Sequence, residues 1–184
     1  MKIVLPKDHV GLSEYGDLPI FFLAGPVLGG GDWQYAMCGE IRSQIGDRDF
    51  LVAIPQRYGQ NHFLRNFRVS GKTGVYERQL DWERHYLHLA GTHGCIIFWL
   101  PEESVEHPRN DGLPYAMDTR GELGEWRGQL MYNHFLRIVI GGEKNFPGLD
   151  GVVRNFKSAI HPDFPIYGNM RELASAAITK ACVK

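Results

Sequence analysis

Cys95-Ile96-Ile97-Phe98-Trp99-Leu100 is followed, across a loop rich in Pro, Asn, Asp and Gly, by Met117-Asp118-Thr119-Arg120-Gly121-Glu122-Leu123-Gly124-Glu125-Trp126. An unbroken apolar run without alternation is the mark of a strand buried on both faces, and such strands belong to parallel sheets sandwiched by helices. The second stretch predicts a helix, with Thr119 as N-cap and Glu122 at the third helical position. A carboxylate there sits in the positive field of the helix terminus, which favours its ionised form. In an open parallel sheet that place is the carboxyl edge of the strands, where ligands bind. Glu122 therefore has two readings: it closes a capping box with Thr119, or it stands ionised at a binding edge as a nucleophile.

The same strand-and-helix unit recurs on either side. Apolar runs at 20–24, 50–54 and 136–140 predict further strands, and Phe164-Pro165-Ile166-Tyr167 predicts a short edge strand because of its proline. Helices are predicted from Asp32 to about Ile45, Tyr76 to Ala90, Thr119 to about Asn133, Leu149 to Ile160, and Asn169 to about Cys182. The pattern predicts one α/β domain over residues 1–184. Its five-stranded parallel sheet has order 2-1-3-4-5, with helices on both faces and right-handed crossovers. Residues 1–18, punctuated by Pro6, Gly11 and Gly16, read as an irregular arm. Residues 56–75 read as a long insertion loop without period.

Composition narrows the function classes. A chain of 184 residues with 43 % apolar content can bury a full core. The net charge of −1 gives no electrostatic case for a nucleic-acid polymer or an anionic membrane. No apolar run approaches the ~20 residues of a membrane span, and the first residues lack a secretory pattern. Three scattered cysteines without a CxxC pair suit a reducing cytoplasm and argue against a zinc site or a disulfide framework. The eight histidines show no ligand spacing, so no metal and no cofactor is expected. Gly29-Gly30-Gly31 reads as a flexible turn, and matches neither a dinucleotide fingerprint nor a phosphate loop. Met37, Met117 and Met131 read as core filler.

The helix from Tyr76 carries a second informative acid. Tyr76, Leu80, Leu87 and Ala90 share one helical face, and Glu83 falls on it, whereas Asp81 points roughly opposite. An acid on an apolar stripe is paired, at an edge, or functional, because burying an unpaired charge is costly. Desolvation would raise its pKa and suit it to proton donation. A salt bridge to Arg78 or Arg84 explains it equally.

These residues form an ordered set: Phe22-Leu23-Ala24-Gly25-Pro26, Asp32-Trp33, Asp81-Trp82-Glu83-Arg84, Ile97-Phe98-Trp99-Leu100-Pro101, and Thr119-x-x-Glu122-Leu123-Gly124. Together, over roughly Ile20 to Ile140, they resemble the nucleoside 2-deoxyribosyltransferase-like family. The resemblance implies a flavodoxin-like fold and cleavage or transfer at the N-glycosidic bond of a nucleoside or nucleotide. Glu122 matches the family's nucleophile, which forms a glutamyl-sugar intermediate that a second base or water resolves. Glu83 matches the acid, with Asp81 the fallback. Gly25, Pro26 and Trp33 match the loop that lies against sugar and base, Thr119 belongs to the nucleophile motif, and Asp118 is a candidate ligand of a sugar hydroxyl. Arg120 stands where the family often has asparagine. The resemblance also implies a homodimer or larger homo-oligomer.

The 56–75 segment interleaves Arg57, Arg65, Arg68 and Lys72 with Tyr58, Phe63 and Phe67. Such a mixture suits a lid in which Arg57, Arg65 or Arg68, or Arg120 from the helix, grips a phosphate while a ring stacks on a base. A surface excursion or dimer arm fits equally. Transfer between bases and hydrolysis by water are both compatible with the motifs, and so is a catalytically silent nucleotide sensor on the same fold.

Overall fold

The computed structural model describes residues 1–11, 15–16, 18–56, 58–69 and 71–182. Along the chain run β1 (Lys2–Val4), β2 (Ile20–Ala24), α1 (Trp33–Ile45), β3 (Leu51–Ala53), a 3-10 turn (Phe63–Phe67), α2 (Gln79–His93), β4 (Gly94–Leu100), α3 (Met117–Tyr132), β5 (Ile138–Gly142), α4 (Leu149–Ala159), β6 (Ile166–Tyr167) and α5 (Met170–Cys182). Every strand pairing is parallel, and β2, β4 and β5 are buried along their whole length, as their unbroken apolar runs require.

The sheet has six strands in the order β1-β3-β2-β4-β5-β6, which corrects the expected five-stranded sheet of order 2-1-3-4-5. The added strand is Lys2–Val4, paired in parallel with Leu51–Ala53. The irregular arm expected over residues 1–18 is corrected with it. Beyond β1 the arm is tied down by Asp8, only 2 % exposed and gripped by Arg68 at 2.7 and 2.8 Å. The Asp8 carbonyl also accepts from the Trp82 indole at 3.0 Å. The 56–75 segment pairs with this arm through Val69 N–H to the Ile3 carbonyl and through a bridge between His9 and Lys72. Arm and insertion thus brace each other.

Two apolar layers cover the sheet. On one face Trp82, Tyr86, Leu87 and Ala90 of α2 pack with Leu123 and Trp126 of α3 and Phe156 of α4. On the other, Trp33, Met37 and Ile41 of α1 pack with Leu173, Ala174 and Ala177 of α5. Gly141 and Gly142, which follow the apolar run at 136–140, lie inside β5. A Cβ on Gly141 would come within 2.8 Å of the Tyr167 carbonyl, and one on Gly142 within 2.9 Å of the Leu100 Cβ. Their role is close strand packing rather than termination.

The chain leaves β2 through α1 on one face and leaves β4 through α3 on the other. Adjacent strands whose connections diverge leave a crevice at their carboxyl ends. That crevice is the place to look for function.

Candidate active site

A cleft of about 540 Å³ occupies the crevice. Gly25-Pro26-Val27-Leu28 follows β2, Pro55 follows β3, Gln79, Leu80 and Glu83 open α2, and Arg109 with Ala116–Thr119, Gly121 and Glu122 follows β4. Glu83 and Glu122, on different helices and far apart in sequence, line the same cavity.

The local structure around Glu122 differs from the expectation in a way that changes its chemistry. Helix α3 begins at Met117, and its N-cap is Ala116, with a left-handed backbone at φ 57 and no side-chain cap. Thr119 is therefore a buried helical residue, 3 % exposed, rather than the N-cap. Glu122 falls in the second turn, and the helix field has weakened beyond the first. Its carboxyl is not held ionised. Burial first, then the charges of Glu83, Asp118 and Glu125, push its pKa up to about 8. Asp118 and Glu125 lie one turn before and after Glu122 on the same helix face, and Glu83 repels it from across the cleft. A non-glycine residue at positive φ costs of order 1–2 kcal/mol, and the strain at Ala116 lies on the cleft wall, where such costs cluster.

Glu83 is reached by a different face of α2 from the one expected. The helix starts at Gln79, so Tyr76 lies outside it, and Leu80 is 45 % exposed on the cleft. The buried stripe is Trp82, Tyr86, Leu87 and Ala90. Glu83 lies beside that stripe and accepts a hydrogen bond of 2.8 Å from the Gln79 amide, which also donates to the Pro55 carbonyl at 2.8 Å. Gln79 so fixes the carboxylate against the loop after β3. Asp81, the fallback acid, is elsewhere: Arg78 holds it with two bonds of 2.7 and 3.0 Å, and this pairing lowers its pKa. It does not line the cleft.

The remaining candidates divide. Gly25 and Pro26 line the cleft, as do Asp118 and Thr119. Trp33 lies under it, buried, its indole donating to the Pro26 carbonyl at 2.9 Å. A Cβ on Gly25 would collide with the Trp99 carbonyl and come within 2.7 Å of the Trp33 ring, so glycine lets the loop sit down on the indole. Arg120 turns away to the Pro147 carbonyl at 2.7 Å and over the Phe146 ring. Arg57 lies outside the described residues. Arg65 is bonded to the Tyr58 carbonyl, and Arg68 to Asp8.

Sequence reading missed Arg109, Gln79 and Met117. Arg109 comes from the aperiodic loop, its side chain only 6 % exposed, held by Asp111 at 2.7 Å with Asp118 at 3.8 Å. Met117, expected in the core, is 41 % exposed on the cleft. Behind the glutamates a groove of about 240 Å³ runs between α2 and α3, lined by Glu83, Glu122, His88, Glu125 and Gln129. Among the described residues no three His, Cys, Asp or Glu side chains are grouped to hold a metal ion, and no helix is long and apolar enough to cross a membrane.

No model of a known protein family matches the chain, and no curated protein matches it in sequence.

Proposed function

We propose that this protein breaks and remakes the N-glycosidic bond of a nucleoside or nucleotide through a covalent intermediate on Glu122. The observation that carries the reading is the pair of glutamates from two helices on one cleft at the sheet's switch point, one of them kept protonated by its surroundings. The motif resemblance to the nucleoside 2-deoxyribosyltransferase-like family supports the same assignment.

Two carboxyl groups that share one proton hold both an acid and a nucleophile. In the resting site the proton is on Glu122. With the sugar's anomeric carbon over Glu122, that proton passes through Glu83 to the ring nitrogen of the leaving base. The C–N bond breaks with its electron pair going to the protonated base, and the Glu122 carboxylate forms a glycosyl ester. A second base, or water giving up its proton to Glu83, then displaces the ester and regenerates the pair. Asp118 meets a sugar hydroxyl, and Gly25–Leu28 lies against the ring. Leu28, Leu80 and Met117 leave an exposed apolar rim that a second copy of the chain covers in a homo-oligomer.

Hydrolysis is a close second reading, favoured by the groove behind the glutamates. It is lined by Glu83 as well as Glu122, so water entering along it can give its proton to Glu83 and attack the anomeric carbon on the face the base has left. Incubation with 2′-deoxynucleosides and a free second base separates the outcomes. Exchanged nucleoside indicates transfer, free sugar indicates hydrolysis, and binding without product indicates a sensor and overturns the enzymatic reading.

A further inference from the structure

The first residue of α2 links that helix to the sheet. Gln79 donates one hydrogen of its side-chain amide to the Pro55 carbonyl at 2.8 Å and the other to Glu83 Oε1 at 2.8 Å. Glu83 stands four residues on, so the two side chains meet on one helix face. Pro55 belongs to a fixed frame: the neighbouring Ile54 N–H is bonded to the Val4 carbonyl at 3.1 Å, at the ends of β3 and β1. Two acceptors also set which way the amide points. Turned over, its oxygen would face the Pro55 carbonyl and the Glu83 carboxylate, acceptor against acceptor. The place of Glu83 matters to the other glutamate, because its charge is the largest of the three carboxylates that act on Glu122.

Resting on the proposed N-glycosidic chemistry, we propose that Gln79 is the positioning residue of the acid: it holds the Glu83 carboxyl in register with Glu122, so that one proton passes between them and on to the leaving base. Gln79 acts through Glu83 and takes no part in the bond changes. Its contribution has two components. The link to Pro55 fixes where the Glu83 carboxyl stands relative to Glu122, and a displacement of ~1 Å in such a pair costs about a hundredfold in rate. The hydrogen bond itself favours the ionised form of Glu83, and this leaves the shared proton on Glu122 in the resting site. Without Gln79, fewer contacts hold the Glu83 carboxyl, and it competes better for that proton. A residue that only started the helix would do neither.

Gln79→Met keeps the length of the side chain and removes its donor. The carboxyl signals of isotope-labelled glutamates are followed by NMR through a pH titration, those of Glu83 and Glu122 being assigned by their absence from Glu83→Gln and Glu122→Gln. In Gln79→Met, Glu122 should hold its proton roughly tenfold less tightly than in wild type. In Asp81→Asn, altered on the same helix but away from the cleft, Glu122 should titrate as in wild type. Where nucleosides are turned over, Gln79→Met should lower kcat ~10–100-fold with KM within about threefold. Gln79→Ala, with a residue favoured in helices, gives the same readings should methionine pack badly. If wild type turns nothing over but the Glu122 signal moves in Gln79→Met and not in Asp81→Asn, the tether between the glutamates stands and the N-glycosidic reading falls. A Glu122 signal that titrates in Gln79→Met as in wild type, or that moves equally in Asp81→Asn, overturns the role of Gln79 whether or not turnover is seen. So does an unchanged kcat in an active enzyme, and a lowered melting temperature without those changes marks a structural part alone.

Discussion

The acids of the cleft and the arginines of the 56–75 segment are both charged groups at the carboxyl side of the sheet, and they are used in opposite ways. Arg65 and Arg68 are each committed to a structural partner, the Tyr58 carbonyl and the buried Asp8. Glu122 has Glu83, Asp118 and Glu125 as its charged neighbours, all of the same sign, and keeps its proton as a result. A fold that only needed stability would not gather carboxyls in a crevice, because like charges disfavour ionisation and burial adds to the cost. Arg68 braces the arm and Arg65 its own segment, whereas the acids hold chemical potential. Of the expected phosphate grip, Arg120 turns to the Pro147 carbonyl and Arg57 lies outside the described residues, while Arg109, on the cleft, is paired with Asp111.

The largest expected effect separates the two regions by activity. Glu122→Gln should lower turnover by ~10³-fold or more with substrate affinity nearly intact, since a neutral amide cannot form the ester. The same variant should change the pH dependence of stability. The folded protein holds a proton on Glu122 that the unfolded chain releases above about 4.5, so raising the pH from about 4.5 to about 8 removes stability. The loss is at most ~5 kcal/mol. Glu122→Gln should flatten that slope and unfold later than wild type above pH 8 in denaturant titrations. A wild-type stability that rises across this window would contradict the protonated resting state.

Glu83→Gln should slow cleavage by ~10²–10⁴-fold, most for poor leaving bases. It should also lower the Glu122 pKa by removing the largest of the like charges around it, visible as a smaller fall of stability that ends at lower pH. Arg68→Ala addresses the other region. It should cost about 2–3 kcal/mol, less than a fully buried pair because Arg68 is 38 % exposed, while kcat per folded molecule stays near wild type. Loss of activity without loss of stability in Arg68→Ala would erase the distinction between brace and site. The smallest effect belongs to Asp81→Asn, which removes a surface pair with Arg78 and should leave both melting temperature and turnover unchanged.

The core strands were legible because their apolar runs are long enough to exclude other readings. Lys2-Ile3-Val4 was not, since a three-residue strand before a proline carries no period. The face of α2 was misjudged for a tertiary reason. Trp82 and Tyr86 bury polar edges that are satisfied by the Asp8 carbonyl, 74 and 78 residues away, and no helical pattern reveals such a partner. Thr119 misled because Ala116 starts the helix from a left-handed conformation that alanine seldom adopts. That three-residue shift of the N-cap moved Glu122 out of the helix field and reversed the sign of its expected pKa change. Glu122 was readable from its place after a strand end, and Glu83 as an acid beside the apolar side of a helix. Arg109 was not, since its place depends on the fold of an aperiodic loop.

The account stands most directly on which atom carries the sugar. Wild-type protein should be incubated with a slow 2′-fluoro nucleoside, digested, and mapped by mass spectrometry. A fluorosugar adduct on the peptide containing Glu122, absent from Glu122→Gln, is the result the two-glutamate cleft requires. An adduct on another residue, or full turnover by Glu122→Gln, would contradict it.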